Sequence, residues 1–329
     1  MKTEPAPGSR PVENQALSMW PRKNCRKKAT RGTFAVVVIL FLFGAVENGY
    51  AQIRSAPVEV PFEFVHNQIV VTVKIAGKGP YQMLLDTDTD PSAIDLAAAK
   101  ELGLGLDSRS YAATGGGSVP QTVQLTRLPS VELGTMIARD VVAGAIDLKK
   151  LSDKLERPIH GVLGYTFLKD RIIQIDYPAS KLRFFAESPY AGIQNQPNTV
   201  NKIAMPFRYD NGVLIDSVFI NGQKLKATLD TGSSGTFALT PEAVAILGLE
   251  DQAQDGAGDK SVDEFKSGVL KSVRIGRLSL ESAPASFWPA GAGHDKAKFQ
   301  VNIGNGFFKE YLMTFDFRGK IVVFEEPDD

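Results

Sequence analysis

Two stretches carry the side chains that could do chemistry: "LLDTDTD" at residues 84–90 and "TLDTGSS" at residues 228–234. Each sets an aspartate, Asp86 or Asp230, at the end of an apolar run, "MLLD" or "ATLD". A carboxylate that follows a buried strand is costly unless it has a hydrogen-bond partner or a chemical task. A threonine comes next in both copies, Thr87 and Thr231. Then the copies part. Gly232 leaves the main chain free to approach another group closely, and Ser233 follows it. Asp88 stands in the matching place of the first copy, with Asp90 close behind. Other chemistries lack their residues. His66, His160 and His294 match no metal-ligand spacing. The sequence has no Gly-Lys-[Ser/Thr] phosphate loop, no strand-linked G-x-G-x-x-G and no Gly-x-Ser-x-Gly elbow.

The elements that must hold these aspartates repeat as well. "VPFEFVHNQIVVTVKIAGKGPYQMLLDTDTD" (60–90) aligns with "MPFRYDNGVLIDSVFINGQKLKATLDTGSS" (205–234), and "GVLGYTFLKDRIIQIDYPASKLRF" (161–184) aligns without a gap with "VNIGNGFFKEYLMTFDFRGKIVVF" (301–324). A period of about 140–145 residues is too long for a solenoid unit and fits two homologous lobes, each able to hold its own core. "QIVVTVKI" and "YQMLLD" flank a Gly-Lys-Gly-Pro turn; "VLIDSVFI" and "LKATLD" flank an Asn-Gly turn. Both are hairpin signals. A short helix follows in each half, N-capped by Asp95 and stopped by Gly103, or N-capped by Thr240 with Pro241 at the first helical position and stopped by Gly248. Many short strands with one or two brief helices per half predict a mostly β protein of two barrel-like lobes. The expected organisation is a signal peptide over 1–51, lobes over 52–186 and 201–329, and a polar Pro/Asn/Gln-rich linker over 187–200.

With strand, Asp-Thr-Gly, short strand and helix in order, and "VLG" (162–164) and "NIG" (302–304) before the last strands of each half, the chain resembles the aspartic protease superfamily, its lobe size resembling the retropepsin-like bacterial branch. "LDTGSSGTF" matches the motif strongly, whereas "NIG" matches less well because Asn302 is polar. The resemblance implies two pepsin-like lobes related by a pseudo-twofold axis that brings Asp86 and Asp230 together. Two carboxylates about 3 Å apart cannot both ionise readily, so the pair would share one proton. One would act as base on a bound water and the other would donate a proton to the scissile carbonyl oxygen, giving peptide-bond hydrolysis by an aspartic-type endopeptidase. Thr87 and Thr231 would tie the two loops together, and Gly232, Ser233 and Asp88 would support the site. A flap would come from 111–121, with Thr114, Gly115, Gly116 and Gly117 at its tip, and from 255–264 in the second half. A plain flexible hairpin is the other reading of the glycine run. The resemblance implies a polypeptide substrate, no cofactor and no metal, and a monomer, since one chain holds both aspartates. Asp88 leaves three outcomes open: a third acid that raises the pair's pKa values, a lobe that no longer does chemistry but binds a peptide or an envelope partner, or a side chain that points away.

Composition sets the remaining bounds. The 329 residues are 43% hydrophobic and 22% charged, with no net formal charge. Residues 1–51 carry eight Lys/Arg and three Asp/Glu, which leaves the rest mildly acidic and gives no support to nucleic-acid binding. The basic segment "RKNCRKKATR" (22–31), the thirteen-residue apolar run "FAVVVILFLFGAV" (34–46) and the small residues Gly49 and Ala51 read as a secretory signal cut after Ala51. The protein is therefore expected to be secreted or periplasmic and free of the membrane after cleavage; an uncleaved anchor is the alternative. The single cysteine, Cys25, lies in the basic segment, so the mature chain would hold neither a disulfide nor a thiol nucleophile.

Overall fold

The computed structural model describes residues 55–113, 121–192, 201–252, 254–255, 266–289 and 297–327. The predicted signal peptide and the flap residues Thr114, Gly115, Gly116 and Gly117 lie outside them, as do most of the predicted second flap and linker positions 193–200.

Each half builds the same eight-stranded sheet. In the first, the order runs through Gln68–Ile75, Lys78–Leu85, Gly161–Leu163, Ser92–Asp95, Met136–Ile146 and Gln121–Leu133. In the second it runs through Val213–Ile220, Gln223–Asp230, Val301–Gly304, Phe237–Leu239, Leu278–Phe287 and Lys266–Ile275. Gln68–Ile75 also pairs with Gln121–Leu133, and Val213–Ile220 with Lys266–Ile275, so each sheet curls toward a barrel. The fold is mostly β, as the sequence predicts, and the two halves repeat one another.

Local chemistry explains the frame. Asn221 and Gly222 take φ of 50° and 83°, the pair of left-handed values that matches a two-residue turn to strand twist. In the first half the turn sits at Ala76 and Gly77 (φ 51° and 74°), one step before the predicted Gly-Lys-Gly-Pro site. Strand Lys78–Leu85 takes up the rest of that tetrapeptide, with a register shift at Val73/Ile75. Asp95 accepts from the Ala97 and Ala98 N–H groups to cap helix Leu96–Leu102, which ends at Gly103 (φ 71°). Thr240 accepts from Ala243 N–H to cap Pro241–Leu247, which ends at Gly248 (φ 62°). Each cap satisfies N–H groups that the first helical turn leaves unpaired.

A third sheet joins the halves. Val58–Pro61, Lys181–Phe185 and Ile172–Asp176 continue into Leu312–Asp316, Ile321–Glu325 and Lys202–Pro206. At its centre Ile172–Asp176 runs antiparallel to Leu312–Asp316, and Gln174, opposite Thr314, donates to its hydroxyl at 3.2 Å. One hydrophobic cluster runs through both halves, from Ile69 and Leu85 to Leu229 and Phe324. The repeat predicts two lobes, each able to hold a core; the shared sheet joins them, and the described residues belong to one compact unit. Tyr190, in the predicted linker, hydrogen-bonds Glu325, and Lys202 sits over its ring.

Candidate active site

Asp86 and Asp230 come together because each ends or follows a strand that runs parallel to the glycine-motif strand of its own half. Leu84 and Leu85 pair with Val162 and Leu163; Thr228, Leu229 and Asp230 pair with Asn302, Ile303 and Gly304. The motif glycines let the loops cross these strands. A Cβ at Gly164 would fall 2.2 Å from the Thr89 carbonyl oxygen, and one at Gly304 would fall 2.6 Å from those of Ser233 and Gly235.

The two loops are stitched across the pseudo-twofold axis by the predicted threonines. Thr87 N–H donates to Thr231 Oγ1 at 3.1 Å, and Thr231 N–H donates to Thr87 Oγ1 at 3.0 Å. The Thr87 hydroxyl donates to the Leu229 carbonyl at 2.6 Å and the Thr231 hydroxyl to the Leu85 carbonyl at 3.0 Å. Both side chains are buried, so the four bonds act without competition from water.

This stitching brings the two aspartate loops together, so that the Asp86 carboxyl lies against the loop of Asp230 and each carboxyl acts on the other. Asp86 Oδ1 accepts from the Asp88 N–H (2.7 Å) and the Thr89 N–H (3.0 Å), and Oδ2 accepts from the Thr89 hydroxyl (2.6 Å). Asp230 Oδ1 accepts from the Gly232 N–H at 2.7 Å, the counterpart of the Asp88 bond. Its Oδ2 accepts from Asn302 Nδ2 at 2.7 Å. The predicted Ser233 meets Asp230 through its backbone, N–H to carbonyl at 3.2 Å. Gly232 is required where it stands: a Cβ there would lie 2.2 Å from Asp86 Oδ2.

Burial and the neighbouring charge of Asp86 push the Asp230 carboxyl up to about 7. Burial also raises Asp86, against the pull of its donors. Burial, then the charges of Asp230 and Asp86, hold Asp88 well above the usual carboxylate range. An arrangement of this kind keeps a proton on the pair near neutrality, which suits acid–base work on a water held between the two carboxyls.

The Asp88 carboxyl crosses to the other half. Its Oδ1 accepts from the Val213 N–H at 3.1 Å and its Oδ2 from the Thr228 hydroxyl at 2.5 Å. Of the predicted site residues, then, Asp86, Asp230, Thr87, Thr231, Gly232, Ser233 and Asp88 meet at one place. Sequence reasoning missed Thr89, Thr228 and Asn302 as partners of the acids. The polar Asn302 in the glycine motif was a signal; nothing in the sequence marks Thr228. It also missed Tyr209, whose ring stacks on Tyr165 at 3.5 Å. Burial, with the charges of Asp90, Asp88 and Asp86, raises the pKa of this phenol.

A family model described as aspartyl protease matches residues 71–167 and 217–307, together more than half the chain. A solved retropepsin-like aspartic protease from Rickettsia conorii aligns over 38% of this chain and 90% of its own length, at 18% identity and a TM-score of 0.31. No curated protein matches the chain in sequence.

Proposed function

The chain belongs to the aspartyl protease family, and from that premise we propose that it is an aspartic-type endopeptidase acting through Asp86 and Asp230. The observation that carries the reading is the threonine stitching, which ties the loops of Asp86 and Asp230 together at the junction of the halves. The ionised carboxylate takes a proton from a water held between the pair while the protonated carboxyl donates to the scissile carbonyl oxygen and the water oxygen bonds to the carbonyl carbon. As the tetrahedral intermediate collapses, the C–N bond breaks, the amine leaves with the proton taken from water, and the hydroxyl proton returns to the pair. The substrate is an extended polypeptide, paired with the hairpins Ser110–Ala113/Gln121–Leu133 and Gln254–Asp255/Lys266–Ile275, which bracket the predicted flap tips. One chain supplies both acids, so a monomer suffices.

Changing Asp230 to Asn is expected to abolish cleavage of a denatured protein at acidic pH; full activity in that variant would refute the assignment. The second reading, a peptide-binding module on the same fold, draws on Asp88 in the place of the motif glycine. It predicts peptide affinity with no turnover between about pH 3 and 7, a range that extends to both sides of the ordinary carboxylate pKa values. The basic segment and apolar run of the N-terminus support export. Among the described residues no helix is long and apolar enough to cross a membrane. A mature N-terminus at Gln52 is the expected product of signal cleavage.

A further inference from the structure

The strand register shows what Asp88 is matched to. Leu84 pairs with Val70, and Thr228, its counterpart, pairs with Leu214. Counting back from these pairs, Ile69 corresponds to Val213 and Gln68 to Gly212, because the preceding turn is one residue longer in the first half. Gln68 is buried, and its Nε2 crosses to the other half, donating to the Gly232 carbonyl at 2.7 Å. On this side of the axis, a long polar side chain on the first half's strand faces a glycine in the second half's loop. On the other side the partners are reversed. The strand position is Gly212, and the loop position is Asp88, whose carboxyl crosses to Val213 N–H and Thr228. A Cβ at Gly212 would lie 3.0 Å from both Asp88 carboxylate oxygens and 2.9 Å from Thr228 Oγ1, so a side chain at 212 and one at 88 compete for one space.

We infer that Asp88 is a positioning residue: its carboxyl is the strut between the first active-site loop and the second half, in the place that the Gln68 amide holds on the opposite side. Three further residues fit this exchange. Thr228 stands where the first half has Leu84, and its hydroxyl serves the carboxyl. Gly212 vacates the room. Asn302 stands where the first half has Val162 and holds Asp230 at 2.7 Å, beside the added acid. A hydroxyl both donates and accepts, so Thr228 serves the strut whether Asp88 carries a proton or not. The groups that face Asp88 are Asp86 on its own loop, Asp230 at the strand end and the Tyr209 phenol. The strut matters to the reaction because the Asp88 N–H is a donor to Asp86 Oδ1. A loop held by its side chain keeps that N–H aimed.

The effect on turnover rests on the endopeptidase reading; the strut itself is read without it. Wild type, Asp88→Gly, Asp88→Asn and Thr228→Val are compared by amide hydrogen exchange over 209–220 at acidic pH, and by kcat and KM on a denatured protein. Asp88→Gly is expected to speed exchange at Val213 by about tenfold, the size of one hydrogen bond's contribution, and to lower kcat by a similar factor with KM nearly unmoved. Asp88→Asn keeps an acceptor for Val213 and a partner for Thr228, so it is expected to restore protection and most of kcat. Thr228→Val is expected to fall between wild type and Asp88→Gly, and it carries the comparison should the glycine variant not fold. Unchanged exchange at Val213 in Asp88→Gly, or in Thr228→Val where it stands in, overturns the strut, even in a protein with no turnover. A glycine variant more active than wild type would make Asp88 a lesion, and an Asp88→Asn variant as inactive as Asp86→Asn, with protection intact, would make it a third reacting acid; either overturns the inference.

Discussion

Leu84 and Val162 stand side by side on the parallel strands beneath Asp86, packed with Val70, Leu148, Leu155 and Ile159. Thr228 and Asn302 occupy the same two places beneath Asp230. One wall is apolar and lies against the segment that carries helix Lys149–Lys154; the other is polar, and each of its side chains bonds an acid. The loops in front of these walls keep matching main-chain bonds, 2.7 Å from the residue-88 or residue-232 N–H to the aspartate two positions earlier. Both halves keep this one bond; they differ within the loop, where Thr89 adds two donors to Asp86, and in what stands behind it. The lesson is that an acid in place of the motif glycine is read correctly only together with the opposite wall.

The hardest test of that comparison is whether the two halves are equal in the chemistry despite unequal walls. Asp86→Asn and Asp230→Asn are each expected to lower kcat by at least about 10²–10⁴-fold, the usual worth of acid–base catalysis. A variant of either residue that kept activity on a denatured substrate would leave one half as scaffold. A smaller and symmetric effect is expected at the stitching. Thr87→Val and Thr231→Val each remove a hydroxyl that donates once and accepts once in a buried place. Each is expected to lower unfolding free energy by about 1–3 kcal/mol, read from denaturant midpoints. Clearly unequal losses would show that the axis is less symmetric than its hydrogen bonds.

Much of this frame was legible in the sequence because it follows from local rules. The helix caps at Asp95 and Thr240, the stops at Gly103 and Gly248, and the Asn221-Gly222 turn each depend on a few adjacent residues. The repeat announced that Asp86 and Asp230 would occupy equivalent places. What escaped was set by register and by contacts across the axis. Gln68 and Gly212 are equivalent only through a turn that differs by one residue, which direct alignment of the two stretches hides. Thr228 looks like an ordinary strand threonine until Asp88 reaches it from the other half. The shared sheet escaped for the same reason: the strands Ile172–Asp176 and Leu312–Asp316 read as parts of separate halves, and only their pairing joins them.

Asn302→Val would make the second wall resemble the first at one position, and its effect is expected to be milder. The lost Nδ2–H donor favours the ionised form of Asp230, so its removal raises that pKa further above about 7. The alkaline limb of the activity profile should move to higher pH while kcat at the optimum falls several-fold, in keeping with loss of one hydrogen bond to a charged group. A limb that stayed fixed would mean that Asn302 fills space and does not tune the acid.

The smallest expected effect concerns stability, and it separates the acids at the junction from those at the surface. Asp230 is raised in the folded protein from 3.8 to about 7, and Asp86 and Asp88 are raised as well. Below the lower value both folded and unfolded chains hold these protons. Between the two values the unfolded chain has released them and the folded chain has not, so stability falls as pH rises through this window and levels off above it. Glu59, Glu63 and Asp107 are lowered instead, first of all by hydrogen bonds from Lys181, Arg157 and Arg109. Their contribution is present above the ordinary carboxylate range and is lost only at more acidic pH, outside the same window. Wild-type denaturant midpoints are therefore expected to rise as pH drops from about 8 to 5, the reverse of the trend that surface ion pairs impose in acid. Asp230→Asn should flatten that slope and be the more stable protein at the upper end, because it removes the group that resists ionisation there. Superimposable slopes for the two proteins would place the pair's proton elsewhere and remove the electrostatic half of the argument for a shared-proton dyad.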